Sequence, residues 1–433
     1  MRKFLYGILG ILISVFGLSS SGFADENEIQ ALKEQIGKLN KRISQLESQA
    51  ERPTNVVPAG GAPSGTFVEG ALSGIRLSGF VDTAYHWNFN NPIFPTAANA
   101  GTAVTRNQSI GVFDTMGDNF TLHAVKLALE KPAAATGGVG FRTDLLMGMD
   151  AKVINSTGAE IDEFDIEQAY VEARLPIHAL EGNSVLGDSL YLRMGKYVTL
   201  AGAEVIEAKD NWNTTRSLMF GYAIPFTHTG VRAAYDLWGG KVTLTTGLNN
   251  GWDLLEDNNR YRTWEGQFAW KPSDKFLFTA TSYIGPEQAN RQDGKRGLID
   301  FVALWKTTDK LSLMANIDYG REGQVVGGPA PAKTADWDGY ALYGRYQATD
   351  KLAFATRGEL FVDRDTYRVG AAAVVGGVAR ERKYWEWTYT TEYKLYDNLI
   401  SRLEYRYDWS DASVFSGESS QNSISAQLIY NFA

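Results

Sequence analysis

The chain has no cysteine in 433 residues, only four histidines, and beyond residue 18 no apolar run near the ~20 residues that a membrane-crossing helix needs. Each absence closes off a class. Without thiols there is no disulfide or cysteine chemistry, which suits an oxidising envelope where stray thiols would pair. Without long apolar runs a helical membrane protein is excluded. His86, His123, His178 and His228 are scattered with no zinc-ligand spacing, and Glu256, Asp257, Asn258 and Asn259 lack the spaced pattern of a calcium loop. Neither a metal nor a cofactor is expected. Positive charge is also short: the formal charge is -8, and an acidic chain is a poor nucleic-acid partner.

What is abundant is glycine, 44 residues, and aromatic residues, 12% of the chain, set in a strict pattern. From Trp385 to Leu395 every second residue is apolar, aromatic or Thr, and the residues between are Glu386, Thr388, Thr390, Glu392 and Lys394. After Tyr396-Asp397-Asn398 the pattern resumes with Leu403, Tyr405, Tyr407 and Trp409 against Arg402, Glu404, Arg406 and Asp408. A period of two over this length predicts two antiparallel strands joined by a turn. A soluble sandwich would bury small branched residues. Here one face is rich in Trp and Tyr and the other is charged throughout, the inside-out arrangement of a barrel strand with lipid on one side and water on the other.

The template runs from Ser73 to the end and gives about sixteen strands, with fourteen and eighteen as rivals because the second and fifth alternate poorly. Short turns such as Pro272-Ser273-Asp274-Lys275 and Ala348-Thr349-Asp350-Lys351 alternate with long polar connections, as periplasmic turns and outer loops do. The expected fold is therefore an all-β transmembrane antiparallel barrel, placed in the bacterial outer membrane and contacting its lipid, over residues 72–433.

Residues 1–24 read as an export signal: Arg2 and Lys3, an apolar run from Phe4 to Leu18, then small residues ending at Ala24. A membrane anchor is the rival reading. Removal of the signal, with two positive and no negative charges, takes the formal charge from -8 to -10. Over residues 25–50 the apolar spacing becomes 3 and 4, through Ile29, Leu32, Ile36, Leu39, Ile43 and Leu46. That predicts a short periplasmic coiled-coil helix and hence a homo-oligomer. Ile and Leu at these positions alone favour a dimer, and a barrel trimer, the favoured state, would impose three strands; a lone amphipathic helix is the alternative. Residues 51–71, with Pro53, Pro58 and Pro63, form a linker.

A barrel this wide needs something to narrow it. The connection from about 200 to 227 is too apolar in its second half to lie in water, through Leu218, Met219, Phe220, Tyr222, Ile224 and Phe226, and its nearest support is the inner wall. An outer lid or a subunit contact are the rivals. A lipase-type site would need Ser, His and an orienting partner at one depth on the lipid face. His123 falls on that face with no partner to assign, so no enzyme is expected.

The stretches Ser78-Gly79-Phe80-Val81-Asp82-Thr83-Ala84-Tyr85, Phe120-Thr121-Leu122-His123, Leu129-Glu130-Lys131-Pro132, Asn211-Trp212-Asn213 and Pro225-Phe226-Thr227-His228-Thr229-Gly230-Val231-Arg232 resemble the OmpL-like barrel porins of the porin-2 type, over about residues 70–433. The resemblance implies an outer-membrane porin and names no solute. Sixteen-stranded diffusion porins set loop carboxylates opposite basic wall residues. By position Glu204, Glu207 and Asp210, with Arg216, would be the loop residues of the constriction, and Arg76, Lys126, Arg142, Arg174, Arg193 and Arg232 the pore wall. The alternative is that these charges are lumen residues kept in register by alternation, as Arg402, Glu404, Arg406 and Asp408 are read as a simple wall ladder. The leading expectation is passive diffusion of small hydrophilic solutes. A substrate-selective channel, with Tyr170, Tyr191 and Tyr343 inward, and a plugged structural or adhesive barrel tethered by its coiled coil are the alternatives.

Overall fold

The computed structural model describes residues 66–67, 74–90, 110–115, 117–157, 162–177, 180, 182–325, 333–369, 381–415 and 417–432. The expected signal and coiled coil, and all of the expected linker except Thr66–Phe67, lie outside them. Those two residues pair with Leu77 and Arg76.

Sixteen long strands close into one antiparallel ring. In chain order they are β1 (Arg76–Asn88), β2 (Asn119–Lys131), β3 (Gly138–Met147), β4 (Phe164–Pro176), β5 (Leu186–Val198), β6 (Thr227–Leu237), β7 (Val242–Asn249) and β8 (Thr263–Ser273). There follow β9 (Phe276–Gly285), β10 (Arg296–Lys306), β11 (Leu311–Val325), β12 (Lys333–Gln347), β13 (Leu352–Asp363), β14 (Arg382–Tyr396), β15 (Leu399–Ser410) and β16 (Ser420–Phe432). The ring shuts where β16 meets β1, from Ser423 opposite Asn88 to Phe432 opposite Gly79. Closure leaves no unpaired edge, which lipid could not hydrate.

Alternation decides which face is which. On β14, Glu386, Thr388 and Thr390 are buried inward while Trp387 and Tyr389 stand exposed outward. Trp385 stacks on Trp409 across the β14–β15 ladder, centroids 5.6 Å apart. Such cross-strand ring pairs add to area burial and fit a lipid-water boundary.

Alternation is broken at several places for backbone reasons, two of them in β2 and β5. In β2 the register shifts so that Asp82 faces Ala124 and Thr83 faces Leu122, leaving His123 as an extra residue. This bulge turns both His123 and Ala124 inward, so the expectation that His123 faces lipid is wrong. In β5, Gly195 has φ of 136°, a conformation open to glycine, and the following Lys196 and Tyr197 are both buried.

Candidate functional site

The connection between β5 and β6, residues 199–226, folds inward. Its first residues are held by side chains of the wall: the Leu200 N–H donates to Tyr283 Oη at 2.9 Å, Gln267 Nε2 donates to the Leu200 carbonyl at 2.9 Å, and the Ala203 N–H donates to Asn316 Oδ1 at 3.1 Å. The Asn211 side chain then clasps both backbone groups of Val205, at 2.9 and 2.8 Å, closing a turn that includes the short 3₁₀ segment Ala208–Asp210. The apolar second half is buried as expected: Leu218, Met219, Phe220, Ala223, Ile224 and Phe226 form a core with Ile110 and Phe113 from the first outer loop and Trp337, Phe361 and Tyr384 from the wall.

The middle of the loop docks on β13–β15, half-way round the ring from its root at β5. Irregular backbone inside a barrel needs a partner for every N–H and C=O. Charged wall residues supply them. Glu404 accepts the N–H groups of Thr214 and Thr215 at 2.6 and 2.9 Å, and Glu359 those of Leu218 and Met219 at 2.5 and 3.1 Å. Arg402 donates to the carbonyls of Ala208 and Asn211 at 2.7 and 2.8 Å, Arg406 to that of Arg216 at 2.7 Å, and Arg357 to that of Thr215 at 2.7 Å. The wall-ladder reading is thus too simple: Arg406 does pair with Asp408 at 2.8 Å, but Arg402, Glu404 and Arg406 latch the loop.

The sequence-derived site residues separate into groups. Glu204 is buried against Arg357 at 2.6 Å, and Arg357 also holds Glu386 at 2.8 Å. Glu207 meets Lys126, whose Nζ is also 2.9 Å from Asp144 and 3.0 Å from Glu167. Ligand oxygens of the three acids lie within 4.8 Å of one another, and the ammonium occupies the position a cation would take. Asp210 pairs with its neighbour Lys209 at 2.5 Å, and burial raises its carboxyl above the ordinary value.

Arg216 reaches Asp150 at 2.7 Å, on the short helix α1 (Met149–Ile154) after β3. A buried chain continues from Asp150 to His123 at 2.8 Å, His86 at 2.7 Å and Ser425 at 2.7 Å. Burial pushes the Asp150 carboxyl up, but Arg216 and His123 outweigh it and hold it below the usual range.

Of the wall residues, Lys126 meets the loop. Arg232 pairs with Glu265 at 2.7 Å, Arg193 with Glu172 at 2.7 Å, Arg142 with Asp144 at 2.9 Å and Arg174 with Asp188 at 3.6 Å. Arg76 opens β1 opposite Glu130. The three tyrosines do not form an open ladder: Arg193 covers the Tyr170 ring, Arg174 that of Tyr191, and Tyr343 is buried against Trp212.

Burial would raise the Glu207 carboxyl, yet Lys126 beside it brings it down to about 2 from 4.5. A carboxyl whose folded value is depressed stabilises the fold above its unfolded value, and that stability is lost as pH falls through the folded one. Thermal denaturation of the purified barrel is therefore expected to show up to about 3 kcal/mol lost between pH 4.5 and 2 through this group. Glu207→Gln should show a shallower loss over that window; an equal slope in both proteins would remove the pair from the balance.

The sequence profile of the family described as "Putative beta-barrel porin-2, OmpL-like" matches residues 74–432. Solved structures with the same fold include the outer membrane channel DcaP of Acinetobacter baumannii, with TM-score 0.53 and 12% identity, covering 83% of this chain and 97% of that one. An anion-selective porin from Comamonas acidovorans gives 0.54 and 11%, covering 83% and 99%. OmpT of Vibrio cholerae in a trimer form gives 0.52 and 10%, covering 83% and 99%. Likeness at such identity is likeness of fold. No curated protein matches the chain.

Proposed function

Because this chain belongs to the OmpL-like porin-2 family of outer-membrane β-barrels, we propose that it passes small hydrophilic solutes and ions by passive diffusion past the loop at 199–226, whose charge sets selectivity. The observation that carries this reading is the docking of that loop across the lumen on β13–β15. The constriction in this proposal pairs Glu204, Glu207 and Asp210 of the loop, with Arg216, against wall charges, of which Lys126 and Arg357 stand nearest. Arg76, Arg174, Arg193 and Arg232 are assigned to the channel wall, and Arg142, which shares Asp144 with Lys126, stands one carboxylate away from Glu207.

The test is single-channel conductance of the purified protein in a planar bilayer under a salt gradient. Steady steps and a reversal potential are expected. Neutralising Glu204, Glu207 and Asp210 together removes three negative charges from the loop and should move the reversal potential towards anions. An unchanged potential would take the three acids out of the constriction. A silent but folded barrel would favour a closed state, the reading that the loop's contacts on β8, β9, β11 and β13–β15 also support.

We further propose a homotrimer. From β3 to β5 the outward face includes Val139, Phe141, Thr143, Leu145, Met147, Phe164, Ile166, Ala169, Val171, Ala173, Leu190, Leu192 and Met194, with two rings, whereas β14 and β15 alone present Trp385, Trp387, Tyr389, Tyr393, Tyr405, Tyr407 and Trp409. Rings belong at a lipid-water boundary, and an arc poor in them suits a protein neighbour. The proposed domain order places a signal at 1–24, a periplasmic coiled coil at 25–50 and a linker at 51–71 ahead of the barrel.

A further inference from the structure

At the outer rim, above the apolar half of the loop, two arginines share one aromatic ring. Arg296, the first residue of β10, and Arg368, in the connection after β13, have guanidinium carbons 4.8 and 5.6 Å from the centroid of Trp252, and Arg368 lies 5.0 Å from that of Trp337. Arg296 is neutralised by Glu322 and donates to Tyr367 Oη at 3.3 Å. Arg368 donates from Nε to the Tyr222 carbonyl and pairs with no carboxylate among the described residues.

The acids nearby are occupied. Asp363 accepts the N–H groups of Tyr367, Arg368 and Val369, each at 2.9 Å. Asp253 accepts those of Phe226 and Thr227 at 2.8 and 2.9 Å, and Glu287 accepts the Trp252 N–H at 2.8 Å and the Thr263 hydroxyl at 2.6 Å. Burial also pushes the Glu287 carboxyl up to about 7, which weakens it as a counter-charge near neutral pH. Arg368, burdened by burial and by Arg296, is brought down to about 10.

A third donor completes the cluster. The Trp252 indole is 6% exposed and its Nε1 has no hydrogen-bond partner among the described residues, whereas Trp337 Nε1 donates to the Ala223 carbonyl at 3.1 Å. An indole N–H can only donate, and so can a guanidinium. A buried indole N–H without an acceptor, beside a guanidinium that no carboxylate pairs among the described residues and a second that Glu322 neutralises, calls for an oxyanion.

We propose that Arg368, Arg296 and the Trp252 Nε1 form an outer subsite for the carboxylate or phosphate group of a small anionic solute, which it holds at the mouth of the channel. A planar guanidinium offers paired N–H groups to either oxyanion, and the dry aromatic floor strengthens the contact. The site concentrates anions ahead of the loop, a role that the diffusion reading alone does not assign.

The experiment is isothermal titration calorimetry of the full-length barrel in detergent with succinate and, separately, inorganic phosphate, in chloride-free buffer. It reads binding whether or not the pore conducts. Saturable binding of one or both probes is expected, at one site per chain, weakened about tenfold or more by Arg368→Gln and several-fold by Trp252→Phe, which keeps the ring and deletes the donor. Succinate without phosphate would mark a carboxylate site, and the reverse a phosphate site. No heat with either probe overturns the proposal, as does binding that both variants leave unchanged. Should Arg368→Gln not fold, as judged by heat-modified gel mobility, Trp252→Phe decides alone.

Discussion

Replacing Arg402 by alanine is expected to free the middle of the 199–226 loop and to turn steady single-channel currents into larger, fluctuating ones. Arg402 is 4% exposed and donates to the carbonyls of Ala208 and Asn211. Each backbone acceptor left buried without a partner costs about 1–3 kcal/mol. The Ala208 carbonyl keeps the Asn211 N–H at 3.1 Å, but the Asn211 carbonyl loses its donor among the described residues, so local opening of the loop becomes populated while the barrel stays shut. The effect should be confined to the loop, because Glu392, the carboxylate that Arg402 also holds, keeps Arg345 at 2.6 Å. Planar-bilayer recordings of Arg402→Ala with conductance and noise equal to the parent would mean that the loop is carried by its apolar half alone.

Lys126→Met should be the most destabilising single change in the wall. The ammonium is buried and touches Asp144, Glu167 and Glu207 together, and removing one partner of a buried ion pair costs about 3–5 kcal/mol. Arg142 still neutralises Asp144, so the unpaired charge falls on Glu167 and Glu207. Their oxygens with that of Asp144 are close enough for one hard cation, so millimolar calcium should restore part of the lost thermal stability in the variant and leave the parent unmoved. Thermal unfolding of both proteins with calcium and with chelator distinguishes the outcomes; a variant that calcium does not help would show that the acids spread apart once the lysine is gone.

The strand content was legible because lipid and lumen impose opposite chemistry on successive residues. Trp385 to Leu395 can be read no other way, and the alternation of short turns with long connections places all sixteen strands within a few residues. Alternation failed where a residue was added to the backbone: nothing in Thr121-Leu122-His123-Ala124 announces the bulge that turns His123 inward to meet His86 and Asp150.

The loop was legible as a buried element from Leu218, Met219, Phe220 and Phe226, since so much apolar surface requires cover. Its partners were not. Period two tells that Arg357, Glu359 and Glu404 face the lumen but gives no height along the barrel, and height decides which charge the loop meets. Glu204 was therefore read as a loop acid from its position, while Arg357, the charge it meets, went unnoticed. The repeated sign change along Arg402, Glu404 and Arg406 was the available signal: a wall that offers donors and acceptors in turn matches a backbone that presents carbonyls and amides in turn.

The latch also fixes an order of events during assembly. The loop leaves the chain at Val198, yet its anchors Glu359 and Glu404 stand 141 and 189 residues downstream of Leu218 and Thr215. Contacts so distant in sequence form late, after the loop-closure entropy between them has been overcome. Strands β13–β15 must therefore be in place before the loop can settle. A docked loop therefore records that these three distant strands had already taken their places in the wall.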